Sequence, residues 1–440
     1  MSQRAEARSE AARPLLSLVM IVKDEEDFLP GALDSALGWV DEIVVVDTGS
    51  SDRSVEIARS RGARVSFFPW TGSFSEARNE SIRQARGDWV AILDADERFV
   101  SPEPGRIREH LVPSGRHPYQ ALMLKVVNRQ LDGSATHSFF SPRIFPRHEN
   151  IGYEGRIHNN FGALDGSEPP FDFIRCFGLE IDHLGYDPVI YQKKEKLARN
   201  LELLERAAAE EPEVPRYRFY LGREYVQAQR PEEGLELLRA LFAEGPEGDP
   251  FLYIETGTQI LDTLDQLRRA PEERLAIATA LIELQEDELD SWYFLGRTFL
   301  ELHEEQSAED AFRVVVRLLQ ERDLEQLQVC RVAHLQEQLY RHLATLSRAR
   351  GEHATAAADE AALLAQLPEE SPERAALQRR LTLEHPELLE RALVQDALDA
   401  LLKDPARERL LPPALPRLEA AHPRLLKGWL RRNRLLHPWL

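Results

Sequence analysis

Two carboxylates two residues apart, Asp94 and Asp96, stand in Ile92-Leu93-Asp94-Ala95-Asp96-Glu97, at the end of the apolar run Trp89 to Leu93. In an extended chain alternate side chains share a side, so both carboxylates would reach one hard divalent cation or bracket a ribose and its metal. Mg2+ or Mn2+ held this way keeps positions open for diphosphate oxygens. Asp-x-Asp alone also describes a solvated turn, so the meaning of the pair depends on its surroundings. Three polar groupings precede it: Val22-Lys23-Asp24-Glu25-Glu26, then Asp47-Thr48-Gly49-Ser50-Ser51-Asp52, then Ala77-Arg78-Asn79. Glu25 and Asp47 can accept hydrogen bonds from a base N–H or from paired hydroxyls, and Arg78 offers fixed donors to phosphate. The plainer readings are a turn cap for Asp47 and a helix-surface salt bridge with Glu76 or Glu80 for Arg78. Further on, Tyr153-Glu154-Gly155-Arg156-Ile157-His158-Asn159 is the densest polar constellation, and His183 follows the strand-like Leu179 to Asp182. On residue chemistry alone Glu154 is a carboxylate in reach of an ion pair with Arg143, Arg147 or Arg156. The neutral imidazoles of His158 and His183 have the chemistry of metal ligands; the alternative for His183 is a satisfied core histidine.

The elements that must position these groups alternate in type. Leu16–Val22, Glu42–Asp47, Arg64–Phe68 and Trp89–Leu93 read as strands buried on both faces, because their apolar runs are nearly continuous. Helical patterns over Glu26–Leu37, Arg53–Arg61 and Phe74–Gln84 separate them, and right-handed crossovers would lay the four strands parallel. Ser51-Asp52 supplies a helix start, and Gly62 and Gly87 supply stops. Ligands favour the carboxyl edge of such a sheet. Phe67-Phe68-Pro69-Trp70 falls near that edge, although core packing explains its aromatics more simply.

From Val189 the strands vanish and Leu, Ala, Glu and Arg recur at helical spacing. Leu221-Gly222-x2-Tyr225 and Trp292-x2-Leu295-Gly296-x2-Phe299, the latter followed by Ala308, Phe312 and Val315, resemble the tetratricopeptide hairpin, with a weaker copy at Tyr340-x2-Leu343-Ala344. The copies are unevenly spaced, so an interrupted array is expected, with a plain helical bundle as the alternative. The expected domains are a loose tail over 1–14, the α/β domain over 15–187, helical repeats over 188–370, and a C-terminal helical extension over 371–440. The basic stretch from Arg424, with Trp429 and Trp439, reads as a capping helix or, alternatively, a contact for anionic lipid.

The 440 residues carry 55 Lys and Arg against 75 Asp and Glu, a net charge of −20, which disfavours nonspecific nucleic-acid binding. Cys176 and Cys330 form no CxxC or zinc-ligand pattern, so a reducing, cytoplasmic setting is expected. Apolar runs such as Leu15–Val22 fall short of the ~20 residues of a membrane span, and the N-terminal residues lack the apolar centre of a secretory signal. GxxxxGK[ST], GxGxxG, GxSxG and HExxH are all absent, which removes the usual P-loop, dinucleotide, α/β-hydrolase and zincin signatures.

Taken together, VKDEEDFLPGALDSAL, EIVVVDTGSSDRSVEIA, FSEARNESI, GDWVAILDADE and YEGRIHN resemble the family 2 glycosyltransferases, and more narrowly a bacterial branch that carries a tetratricopeptide region. The resemblance covers about residues 15–187 and implies a GT-A fold, α/β and Rossmann-like. It puts base and ribose near Glu25 and Asp47, diphosphate near Arg78 and Asn79, metal and donor ribose at Asp94 and Asp96, the general base at Glu154 and a further metal ligand at His183. It implies Mn2+ or Mg2+, a nucleoside diphosphate sugar, with UDP the expected carrier, and inverting transfer of a hexose or N-acetylhexosamine. The helical repeats would select a protein, peptide or glycan acceptor or join two copies as a homodimer. The rival readings are a noncatalytic tetratricopeptide adaptor with a vestigial sugar-nucleotide domain, and a nucleotidyltransferase, which lacks its Gly-rich loop here.

Overall fold

The structure is a computed structural model that describes residues 15–100, 107–111, 119–130, 133, 135–167, 169, 171–185, 196–322, 332–369, 371–401, 403 and 407–432. The chain divides into two units, one ending at Thr263 and one beginning at Leu264. The expected tail over 1–14 and the expected boundary at 187–188 both lie outside the described residues.

The first unit is built on an eight-stranded sheet in the order β3-β2-β1-β4-β7-β6-β10-β5. Its strands are β1 Leu16–Val22, β2 Glu42–Asp47, β3 Arg64–Phe67, β4 Trp89–Ile92, β5 Glu97–Val100, β6 Gln120–Arg129, β7 Ala135–Pro146 and β10 Asp172–His183. A separate hairpin pairs β8 Ile151–Glu154 with β9 Asn160–Ala163. Strands β1 to β4 are parallel, as the crossover argument requires; β7 then enters antiparallel between β4 and β6. Helices α1 Leu29–Ala36, α2 Ser54–Ser60, α3 Phe74–Gln84 and the short α4 Ile107–His110 accompany the sheet.

Alternation along β1 explains its unbroken apolar run. Leu16, Leu18, Met20 and Val22 enter one core with Leu29, Leu33 and Trp39, while Val19 enters the other with Ile82, Phe145 and Tyr153. Polar Ser17, fully buried, is satisfied by donating to Glu42 and accepting from the Gly87 N–H. The last pair in the β10–β5 register is His183 opposite Glu97, so the end of β10 lies beside the residue that follows Asp96.

Helix α1 begins at Leu29 rather than Glu26. The reason is a clasp between the loops after β1 and β2. Asp24, at φ 53°, takes the Ser51 N–H and hydroxyl on its carboxylate. The Glu25 N–H donates to Ser54 and the Glu26 N–H to Asp52. These short polar side chains compete with helical hydrogen bonding, and the chain turns helical only beyond them.

Beyond the sheet, the first unit continues through α5 Lys196–Glu210, α6 Pro215–Gln227, α7 Pro231–Phe242 and most of α8 Pro250–Gln266. These helices are fastened to the sheet domain. Arg156 donates to Glu210 at 2.8 Å, and Ile157 shares an apolar cluster with Leu204, Tyr217 and Leu221. The second unit holds α9 Pro271–Leu284, α10 Leu289–Glu301, α11 Glu305–Glu321, α12 Val332–Ala349, α13 His353–Gln366, α14 Pro372–Glu384, α15 Arg391–Leu401, α16 Arg407–Ala421 and α17 Pro423–Arg432. Its last helices share a core with α13 that includes Leu363, Leu364, Leu398 and Trp429. Trp429 is fully buried and donates to Asp399, which fits the capping reading of this stretch; Trp439 lies outside the described residues.

The hairpin signatures fall where helices cross closely. A Cβ on Gly222 would meet Leu238 at 2.8 Å, and one on Gly296 would meet the Phe312 ring at 2.6 Å. Gly296→Ala would gain about 1 kcal/mol of helix propensity but lose about 1–3 kcal/mol to overpacking. Urea unfolding should therefore show net destabilisation, and in a Phe312→Leu background the same change should become stabilising. Equal effects in both backgrounds would mean that the helices separate freely.

Candidate functional site

Above the carboxyl ends of β1 and β4 lies a cleft of about 390 Å3, lined by Lys23, Glu25, Asp94, Asp96 and residues from β7, β8, β10 and α5. Helix α3 forms one wall. It begins with a side-chain N-cap, the Ser73 hydroxyl accepting the Glu76 N–H. Its first turn pins the loop after β8. The Phe74 N–H donates to the Arg156 carbonyl, and the Ser75 hydroxyl donates to the Gly155 carbonyl at 2.5 Å. One turn on, Asn79 exchanges two hydrogen bonds with the Tyr153 backbone. A Cβ on Gly152 would stand 2.5 Å from the Asn79 amide oxygen, so the approach of β8 to α3 requires glycine there. Asn79 is thus a positioning residue in this structure.

The two carboxylates of Asp-x-Asp part company. The segment between β4 and β5 is a turn, closed by the Glu97 N–H on the Asp94 carbonyl, so the extended-chain argument for a shared side does not hold. Asp94 takes both oxygens to Arg78 Nη2 at 2.8 and 3.0 Å. Burial alone would raise the Asp94 pKa, but Arg78 and then Arg143 more than offset it and hold the carboxyl below its usual value. Burial would likewise lower Arg78, and Asp94 and Tyr153 hold it above its ordinary value. The Arg78 guanidinium also lies 5.6 Å from the Tyr153 ring centre. Arg78 pairs with Asp94 in the cleft rather than with Glu76 or Glu80 on the surface of its own helix; Glu80 pairs with Arg83.

Asp96, 6% exposed, turns instead toward His183, whose Nε2 is 3.7 Å from its Oδ1. The other ring nitrogen, Nδ1, lies 2.7 Å from the Asn128 amide oxygen. With Nδ1–H as donor there, Nε2 presents its lone pair to a carboxylate. Two neighbouring ligands at about 2.1 Å on an octahedral cation stand about 3 Å apart, so the pair would close by somewhat less than an ångström to hold one ion. The donor set fits a hard divalent ion with oxygen and imidazole ligands. Among the described residues no group of three or more His, Cys, Asp or Glu side chains converges on one point. A cation here would take its remaining ligands from substrate and water, the usual habit of Mg2+.

The other anticipated residues fall differently. Glu25 lines the cleft. Asp47 accepts the Gly49 and Ser50 N–H groups, so its carboxylate closes its own turn. Glu154 is exposed and is not among the cleft's lining residues, because it follows inward-facing Tyr153 on β8 and alternation turns it outward. Arg143, Arg147 and Arg156 take Glu97, the Gly87 carbonyl and Glu210 as partners instead.

Several contributors were not anticipated. Arg143 reaches Glu97 through two hydrogen bonds of 3.0 and 2.7 Å, and Glu97, 1% exposed, also accepts the Asp94 N–H. Arg199 and Asn200 of α5 line the cleft, and Arg199 lies 5.2 Å from the Phe74 ring centre. Asn128 meets His183 only through the β6–β10 register, and no local pattern announces it.

His158 lies in the pinned loop at φ 51°, its ring stacked on Tyr220 of α6 at 3.7 Å between centres and 10° between planes. Burial first, then the Arg223 charge, pushes its pKa down to about 4. A histidine kept neutral in the fold takes up its proton first in the unfolded chain, near the ordinary 6.5. The associated stability is therefore complete above pH 6.5 and lost as pH falls through 4. Urea midpoints of the wild type should fall between pH 7 and 4.5, and replacement of His158 should flatten that slope. An unchanged slope would assign the acid sensitivity elsewhere, with His342, also pushed down to about 4, the next group to replace.

Comparison with known proteins bears on this geometry. Residues 17–163 match the family model of Glycosyl transferase family 2, which spans β1 to β9 and the Asp94–Asp96 turn but stops short of His183. The N-terminal part of the chain is therefore a family 2 glycosyltransferase domain, followed by helices that include tetratricopeptide-like hairpins. Among curated proteins, a TPR repeat-containing protein of Synechococcus elongatus is 34% identical over 208 residues, 46% of this chain and 50% of that protein. The SPbeta prophage-derived glycosyltransferase SunS of Bacillus subtilis is 27% identical over 235 residues, 51% of this chain and 53% of that protein. The chain spans about half the length of these relatives. A solved structure of MamA from AMB-1 covers 42% of this chain and 91% of its own, at 18% identity and a TM-score of 0.31. No helix among the described residues is long and apolar enough to cross a membrane.

Proposed function

We propose that the protein is a glycosyltransferase that moves a hexose or N-acetylhexosamine, with inversion, from a nucleoside diphosphate sugar to an acceptor hydroxyl. The observation that carries this reading is the Asp96–His183 pair beside the Arg78–Asp94 pair, at the carboxyl edge of a family 2 domain. Mn2+ or Mg2+ would be held by Asp96 and His183, and when bound it neutralises charge on the diphosphate. Arg78, whose charge Asp94 balances without substrate, supplies a fixed cation for the same diphosphate. Glu25 accepts hydrogen bonds from the base or ribose at the far end of the cleft, with UDP the expected carrier. Asp47 holds the turn beneath them. The acceptor is a protein, peptide or glycan that enters beside α5 and α6, where Arg199 and Asn200 reach the cleft.

The test is to incubate the full chain with UDP-, GDP- and dTDP-sugars and Mn2+ and to measure released nucleoside diphosphate and transferred sugar. One donor class should support release, and EDTA should stop it. A folded protein that neither binds nor consumes any donor would sink the reading and leave the adaptor role.

A further inference from the structure

We propose that His158 is the group that takes the acceptor proton, in the role that a carboxylate at Glu154 would otherwise fill. The inference rests on the glycosyl-transfer reading above. Transfer with inversion needs a base that faces the reacting carbon from the side opposite the leaving nucleotide. Glu154 is turned outward from the cleft, whereas His158 lines it together with Asp94 and Asp96.

Three observations set His158 apart from a packing histidine. Its Nε2 is shielded from bulk water yet has no hydrogen-bond partner among the described residues, an arrangement that buried polar atoms rarely tolerate without a function. Its backbone sits in the left-handed region, which a non-glycine residue adopts when surrounding structure over-determines it. Here that structure is explicit: Asn159 Nδ2 donates to the Ser75 hydroxyl and the Gly155 carbonyl, and Ile157 is buried next door. The flat stack on Tyr220 then removes the remaining rotational freedom of the ring. The result is a rigid imidazole aimed by both the α3 loop and the first helices beyond the sheet.

Its protonation state suits the task. The charged and titratable groups around it are Arg223 and Tyr220 on α6, with Arg216 and Glu255 beyond Tyr220, and Arg156 and Glu154 in its own segment. Burial, and after it the cation of Arg223, keep the imidazole neutral, so its lone pair is present at neutral pH. In the transfer step the acceptor O–H bond breaks and its proton passes to Nε2. The oxygen forms its bond to the anomeric carbon as the bond from that carbon to phosphate oxygen breaks, and the nucleoside diphosphate leaves with that electron pair. The imidazolium then passes its proton to water that enters the cleft as the products leave.

The experiment uses the full chain, Mn2+ and the donor that the wild type consumes, with water as the acceptor and nucleoside diphosphate release as the readout. His158→Asn replaces the imidazole by an amide side chain that tolerates the left-handed backbone, and His158→Gly fits it without strain. Both should lose about 10²–10⁴-fold in turnover, keep the nucleotide Kd within about twofold, and the Gly variant should regain turnover with added imidazole. A loss under about tenfold, a Kd that weakens in step with turnover, or no return with imidazole would each overturn the assignment and leave His158 as a packing residue. A wild type that consumes no donor would instead remove the glycosyl-transfer reading itself.

Discussion

Asp96→Ala should abolish metal-dependent donor turnover, a loss of about 10²–10³-fold or more, while the protein remains folded. The carboxylate faces His183 Nε2 at 3.7 Å rather than sealing the core, and its neighbour Asp94 is already neutralised by Arg78. The variant therefore removes one ligand of the proposed cation and leaves the other carboxylate occupied elsewhere. Charge stabilisation by a bound metal amounts to several kcal/mol, and each ~1.4 kcal/mol is tenfold in rate. Calorimetry should show that Mn2+ no longer tightens nucleotide binding to the variant, and His183→Ala should behave alike. Undiminished turnover of the variant in EDTA would end the metal proposal.

Arg143→Met should destabilise the first unit by about 3–5 kcal/mol, because it strands a buried carboxylate. Glu97 is 1% exposed and meets both terminal nitrogens of Arg143. Methionine matches the arginine stem in length, so loss of volume contributes little. The informative comparison is Arg143→Met with Glu97→Leu: replacing both partners of a buried pair by apolar groups is often close to neutral. Urea unfolding should thus show the double variant more stable than the single one. A single variant within about 1 kcal/mol of wild type would mean that water reaches Glu97.

The first half of the sheet was legible because its physics is local. The four parallel strands and α2 and α3 end within about a residue of the positions that apolar run, cap and glycine indicate. The hairpin signatures at Gly222 and Gly296 were legible for the same reason, since a close helix crossing needs a small residue at a fixed offset. What sequence alone misjudged depends on a side chain's direction or on a distant partner. The Asp94–Asp96 spacing suggested one shared side, but the turn separated them. Glu154 looked like a base until strand alternation turned it outward. Arg143 and Glu97, or Asn128 and His183, meet only once antiparallel β7 and β10 take their places in the sheet. The loop motif after β2 was recognisable, yet Asp47 holds Ser50, Ser51 holds Asp24, and Asp52 holds the Glu26 and Ser54 N–H groups, so a motif that looked like a set of ligands is in good part its own scaffold.

The pairing of β10 with β5 also dictates an order of assembly. Asp96 appears early in the chain and β5 follows at once, but that short edge strand has no partner until β10 has been made and has settled against β6. Closing so long a stretch of chain is an entropically slow, nonlocal event. A nascent protein halted after residue 163 would contain the whole family match and the parallel strands, yet hold Asp96 with no imidazole opposite. Competence for the proposed cation would in this way be deferred until the domain is complete, so partly synthesised chains would carry an unfinished centre rather than an active one.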